Sequence, residues 1–72
     1  MIKPGKYQHY KGNFYRVLGI ARHSETTEEM VMYQALYESE FGKGVVWVRP
    51  MEMFLEKVEF EGKEVPRFRF VE

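Results

Sequence analysis

Turn-forming residues interrupt this chain so often that a single stretch, Thr26 to Gly42, is long enough for a sustained helix. The breaks fall at Lys11-Gly12-Asn13, Ser24 to Glu29, Gly42-Lys43-Gly44, Pro50 and Glu61-Gly62-Lys63. Glycine supplies the positive φ of tight turns there, and proline withholds the N–H that would continue a strand ladder. The segments between breaks read as short strands. In Phe14 to His23 one parity holds Phe14, Arg16, Leu18, Ile20 and Arg22, and the other holds Tyr15, Val17, Gly19, Ala21 and His23. Neither face is purely polar, so this strand is expected at the centre of a sheet. Val45-Val46-Trp47-Val48-Arg49 is a β-branched and aromatic run stopped by Pro50, and Met51-Glu52-Met53-Phe54 has the length of one helical turn. Val58 and Phe60 before the Gly62 turn, with Phe68 and Phe70 after it, predict a hairpin whose opposite face carries Arg67 and Arg69.

Thr26 to Gly42 itself stays open between helix and strand. Thr26 and Glu29 have capping-box spacing, and Met30, Tyr33 and Tyr37 recur at helical intervals. Equally, Val31, Tyr33, Ala35 and Tyr37 alternate with Met30, Met32, Gln34 and Leu36, as in a strand.

With 72 residues there is room for one core, so a single domain over residues 1–72 is expected. No cysteine is available to staple it, and 17% of the residues are aromatic, so rings must supply most of the burial. Met30 and Met32, two apart on one strand face, are expected in that core. Missing thiols fit a reducing compartment, and the longest wholly apolar runs, such as Val45 to Val48, are far below the ~20 residues of a membrane span. A cytoplasmic protein without a membrane partner is the expectation. Net charge is zero, which argues against strong nucleic-acid binding, since that affinity comes from clustered Lys and Arg releasing counterions. The charge is nevertheless segregated: Lys3, Lys6, Lys11, Arg16 and Arg22 precede Glu25, Glu28, Glu29, Glu38 and Glu40, which suggests cross-strand pairing between the two stretches.

Enzyme signatures are weak. His23, Ser24 and Glu25 are the residue types of a hydrolase triad, but consecutive residues in an extended or turn segment point in alternating directions and cannot hydrogen-bond in series. Backbone capping in a turn is the commoner role for such groups. His9 and His23 are a poor metal pair, the chain contains no Asp, and no phosphate loop or dinucleotide fingerprint is present. No catalytic residue, metal or cofactor is therefore expected. Binding has more support, because Tyr7, Tyr10, Tyr15, Tyr33, Tyr37 and Trp47 are more amphipathic rings than a small core needs, and Arg22, Arg49 and Arg67 can supply a charged rim. Trp47 and Arg49 share a strand parity, as do Tyr7 and His9, and Arg22 to Thr26 concentrates more polar groups than a plain turn requires. The candidate binding residues are thus Arg22, His23, Ser24, Glu25, Trp47, Arg49, Tyr7 and His9.

Taken together, Gly5-Lys6-Tyr7-Gln8-His9-Tyr10-Lys11-Gly12-Asn13-Phe14-Tyr15-Arg16-Val17, Ala21-Arg22-His23-Ser24-Glu25-Thr26, Tyr33-Gln34-Ala35-Leu36-Tyr37, Trp47-Val48-Arg49-Pro50, Phe54 and Val65-Pro66-Arg67-Phe68 carry a resemblance over nearly the whole chain. The chain resembles a small bacterial family catalogued as a domain of unknown function, number sixteen fifty-three, whose members share a G-x-Y-x-H-Y-K-G-N-x-Y-x-V opening, an A-x-H-S-E-T centre and a V-R-P-x-x-x-F close. The resemblance implies a mostly β, SH3-like, partly open barrel and tips Met30 to Tyr37 toward strand, while naming no activity. The resulting expectation is a non-enzymatic binding or accessory module for a protein or peptide, or weakly for nucleic acid, acting as a monomer or weak homodimer. The alternative is an enzymatic or small-molecule role centred on Arg22 to Thr26.

Overall fold

The structure is a computed structural model describing residues 2–72. Strands β1 (Gly5–His9), β2 (Phe14–Arg22), β3 (Glu29–Ala35), β4 (Glu38–Ser39), β5 (Gly42–Lys43) and β6 (Val46–Pro50) precede a short helix, α1 (Met51–Phe54). Strands β7 (Lys57–Phe60), β8 (Lys63–Pro66) and β9 (Phe68–Phe70) follow it. Five strands form the main sheet in the order β6-β3-β2-β1-β9, and β4-β5 and β7-β8 make separate hairpins. The architecture is mostly β, with 58% of residues in strands and 6% helical, and the sheets do not close. That balance settles Thr26 to Gly42 in favour of strand. The region holds a turn, β3 and the β4-β5 hairpin rather than a helix. Among the described residues, no helix is long and apolar enough to cross a membrane.

As the two-sided pattern of its residues predicts, β2 lies in the middle of the sheet, antiparallel to β1 and β3. Its register shifts between Val17 and Gly19, and Leu18 at this irregularity is turned outward and exposed. Direct partners share a face, so Tyr7, Tyr15 and Ala35 line the inner side with Val17, Tyr33 and Trp47, and Val31 brings Arg49 with it. The core sits on this side: Ile2, Tyr7, Val17, Val31, Tyr33, Phe54 and Phe68 are buried together. Phe54 arrives from α1, which follows Pro50 directly and buries that one residue. Its ring stacks on Phe68 at 4.2 Å and 5°, while Tyr7 meets Phe54 edge-on at 5.6 Å. Burying such a ring is worth roughly 1.5–3 kcal/mol, so this trio is a main part of what holds the sheet to the helix.

Three expectations are corrected by the packing. Met30 and Met32 lie on the face opposite Val31 and Tyr33, half-buried, with Met32 beside the exposed Val48. Val31, Tyr33 and Ala35 fill the inner face first, and strand alternation then leaves the methionines outside. The Gly62 hairpin is real, but its second arm is Lys63–Pro66, with Val58 opposite Val65. Phe68–Phe70 instead leaves for the main sheet, where Phe68 pairs with His9 and Phe70 with Tyr7. The split occurs at Arg67, which donates its backbone N–H to Glu56 O, its Nε to Met53 O and its Nη2 to Glu56 Oε1 at 2.6 Å. Glu61 and Gly62 both have positive φ (53° and 78°), the backbone a two-residue hairpin loop demands. The expected pairing of basic and acidic stretches does not produce ion pairs: Arg22 stands opposite Glu29, yet the ion pairs among the described residues are Lys6–Glu72 and Arg67–Glu56.

The chain end closes the far side of β1. Lys6 N–H donates to Glu72 O at 2.9 Å, and Gly5 (φ +139°) approaches so closely that a Cβ there would stand 2.9 Å from that same oxygen. Glycine at position 5 is a packing requirement of this closure.

Candidate functional site

The ends of β1, β2, β3 and β6 that face Phe68 bring aromatic and cationic groups together. Phe68 is the hub, with its ring 5.0 Å from His9, 5.6 Å from Tyr15 and 5.3 Å from Tyr33, and with the Arg49 guanidinium 5.9 Å away over its face. Tyr15 stands edge-on to both Tyr33 and Tyr37 at 5.3 and 5.5 Å. The Tyr15 and Tyr37 hydroxyls are 2.7 Å apart and share one hydrogen bond. Arg49 Nε donates to Tyr33 Oη at 3.1 Å, which fixes the guanidinium above the aromatic floor. Its terminal nitrogens have no hydrogen-bond partner or carboxylate among the described residues.

The electrostatics of the cluster have one sign. His9 is held below the usual histidine pKa, chiefly by burial and then by the positive charges of Arg49, Arg67 and Lys11. Tyr15 is pushed above the usual tyrosine range by burial, by its hydrogen bond to Tyr37 and by the neighbouring Tyr37 and Tyr33, with Arg49 pulling the other way. Both groups are therefore neutral near pH 7: a tyrosine that keeps its proton and an imidazole that does not take a second one. His9 Nδ1 accepts the Lys11 N–H at 3.2 Å, which leaves Nε2 as the nitrogen bearing hydrogen. A cleft of about 310 Å³ adjoins His9, walled by Tyr10, Phe60, Val65 and Pro66 and edged by Gln8 and Arg69. Arg69 Nη2 donates to Gln8 Oε1 across the β1–β9 pair at that edge.

Of the residues singled out from the sequence, His9 and Arg49 belong to this cluster. Tyr7 shares the face but is buried in the core, where its hydroxyl donates to Lys3 O at 2.8 Å. Burial also raises its pKa against the opposing effect of that bond. Trp47 is opposite Tyr33, partly exposed, with its ring edge-on to Phe41 at 5.7 Å.

The Arg22 to Thr26 segment forms the β2–β3 turn and is occupied internally. Arg22 Nη1 donates to Thr27 O at 2.9 Å, and His23 Nδ1 accepts the N–H groups of Glu25 at 3.1 Å and Thr26 at 3.4 Å. Thr26 Oγ1 accepts Glu28 N–H at 3.2 Å, and His23 N–H donates to Glu28 O at 2.8 Å. Thr27 adopts φ 61°, an uncommon conformation for a β-branched residue that the surrounding bonds hold in place. Ser24 and Glu25 are exposed. No hydrogen bond, ion pair or ring contact among the described residues joins this turn to His9, Arg49 or Trp47, so the eight candidates are spread over several places.

Tyr15, Tyr33, Tyr37 and Phe68 are the site residues that the candidate set omits. The parity shared by Tyr15 and Val17 carried a signal, since it places the tyrosine on the inner face. The register that sets Tyr15 between Tyr7 and Ala35 is a matter of strand pairing, which no local pattern reveals.

Fold and site together define a small, open, mostly β module with an aromatic and arginine-bearing inner edge. The pattern of the family described as protein of unknown function (DUF1653) matches residues 5–70, and the chain belongs to that family. A solved structure of a DUF1653 protein from Bordetella bronchiseptica is 38% identical, with a TM-score of 0.87 over 97% of this chain and 87% of that one. None of the curated proteins matches.

Proposed function

We propose that the chain is a non-enzymatic binding module, an SH3-like open barrel whose recognition surface runs from the cleft beside His9 to Arg49 and the three tyrosines. One observation carries the reading. Arg49 is the arginine of this surface with no internal partner for its terminal nitrogens, whereas Arg22 and Arg67 are engaged by Thr27 O and by Met53 O and Glu56. A guanidinium anchored through Nε over a ring, with no acid among the described residues in ion-pair reach of its fork, is arranged to meet a group on another molecule. The neighbouring cleft offers Tyr10, Phe60 and Pro66 to an apolar side chain of the same ligand, and a peptide is the ligand that supplies both at once. The enzymatic alternative at Arg22 to Thr26 has less support, because Arg22, His23 and Thr26 direct their polar atoms to backbone groups of their own turn.

Selection of peptides from a displayed random library on the full chain tests this reading. Enriched peptides should bind the native chain, lose most of their affinity to Arg49→Ala, and bind His23→Ala unchanged. Peptides indifferent to Arg49→Ala, or lost with His23→Ala while the fold is intact, would overturn it.

A further inference from the structure

Donors predominate among the unpaired groups of the Arg49 cluster. Arg49 presents four N–H bonds on its terminal nitrogens, and guanidinium has no acceptor. Tyr33 Oη accepts from Arg49, so its own proton is available to donate. The Tyr15–Tyr37 pair shares one hydrogen bond between two hydroxyls and therefore keeps one proton unassigned. His9 Nδ1 is already an acceptor for Lys11 N–H, which leaves Nε2 to carry the hydrogen. Among the described residues no carboxylate pairs with these groups: the charges acting on His9 are Arg49, Arg67 and Lys11, and Glu56, an acid in this part of the fold, is paired with Arg67.

Such a set is complementary to a group that only accepts. A neutral amide or hydroxyl can accept through its oxygen but brings no charge, whereas a carboxylate or phosphate accepts through several lone pairs, gains charge-assisted bonds from the fork and offsets the positive charge of Arg49, Arg67 and Lys11 around His9. The aromatic floor matters as well, since the Phe68 ring lies 5.9 Å from the guanidinium and shields that side of it, which strengthens what it binds. We infer that the Arg49–Tyr33–Tyr15–Tyr37–His9 cluster is an oxyanion site, taking a carboxylate or phosphate group of the ligand. This rests on the binding reading given above and specifies its anchor.

Nuclear magnetic resonance of the isotope-labelled full chain tests it, with sodium acetate and sodium phosphate titrated separately at fixed ionic strength. At least one anion should shift the Arg49 Nε–H signal and the Tyr15 and Tyr37 ring signals along a saturating curve. Tighter saturation by acetate assigns a carboxylate ligand, and tighter saturation by phosphate assigns a phosphate ligand. Arg49→Gln should weaken the effective anion by about tenfold or more. Tyr37→Phe, which keeps the ring and removes the hydroxyl, should weaken it by a smaller factor, and it provides the test if Arg49→Gln does not fold. His23→Gln should change nothing. Shifts that grow without saturating, or that persist equally in both cluster variants, mean an adventitious ion only and overturn the inference. Failure here is distinguishable from failure of the binding reading: peptides that need Arg49 but carry no acidic or phosphorylated residue would sink the oxyanion and leave the module.

Discussion

The β2–β3 turn and the Phe68 cluster contain much the same chemistry, an arginine, a histidine and several hydroxyls, yet the fold uses them in opposite ways. In the turn, neighbours in sequence are neighbours in space, so Arg22, His23 and Thr26 reach backbone groups within a few residues and each makes its bonds there. In the cluster, His9, Tyr15, Tyr33, Arg49 and Phe68 come from separate strands and meet across a sheet face. The backbone groups of those strands are already committed to the ladders. Side chains on such a face are left to bond one another or a ligand, and Arg49 bonds Tyr33 through Nε while its terminal nitrogens have no partner among the described residues. Density of polar residues along a chain is therefore a poor guide to a site, and convergence across strands is a better one.

The largest way to break this contrast is through its hub. Phe68→Ala removes a buried ring that stacks on Phe54 and floors the cluster, and should cost about 3–5 kcal/mol in urea unfolding. In a chain this small that is much of the total stability. A loss below ~1 kcal/mol would show that the aromatic core is not what organises the site.

Arg67 sharpens the comparison between arginines. Its side chain is mostly covered and ties β9 to α1 through Met53 O and Glu56. Arg67→Ala should destabilise by about 1.5–3 kcal/mol, as loss of hydrogen bonds to a charged group does. An unchanged midpoint would remove the distinction between a structural and an available guanidinium.

A smaller effect separates the two histidines by pH. His9 has a lowered folded-state pKa, so between its ordinary value of 6.5 and that lower value the unfolded chain binds more protons than the folded one. Stability contributed by neutral His9 is then complete above pH 6.5 and is lost as pH falls toward the folded pKa. Urea midpoints should decline just below pH 6.5, the decline should be reduced in His9→Gln, and it should persist in His23→Gln. The reverse assignment would put the buried imidazole in the turn instead.

What was legible in the sequence follows the range of the interactions. Pro50 and the four residues after it announce α1, and the mixed parities of Phe14 to His23 announce a central strand, because these depend on neighbours. The destination of Phe68 was not legible, since a strand that leaves a hairpin for another sheet is selected by Arg67 binding Met53 and Glu56 far upstream. The methionine pair failed for a related reason: parity fixes that Met30 and Met32 share a face, and only the packing of Val31 and Tyr33 against Phe54 and Phe68 decides which one. His9 and Arg49 were visible through the strand parity each shares with a ring, Tyr7 and Trp47. Tyr15 and Tyr37 needed the third dimension.

The central claim is that Arg49 is held for a ligand while His23 is held by its own turn. The most direct measurement pairs urea unfolding with the anion titration for Arg49→Ala, using His23→Ala as its counterpart. The account predicts that Arg49→Ala loses about 1 kcal/mol or less, the worth of one side-chain hydrogen bond, and loses its anion response, whereas His23→Ala loses a similar small amount and keeps the response intact. Several kcal/mol lost by Arg49→Ala, with the anion response undiminished, would make Arg49 a structural residue and contradict the account.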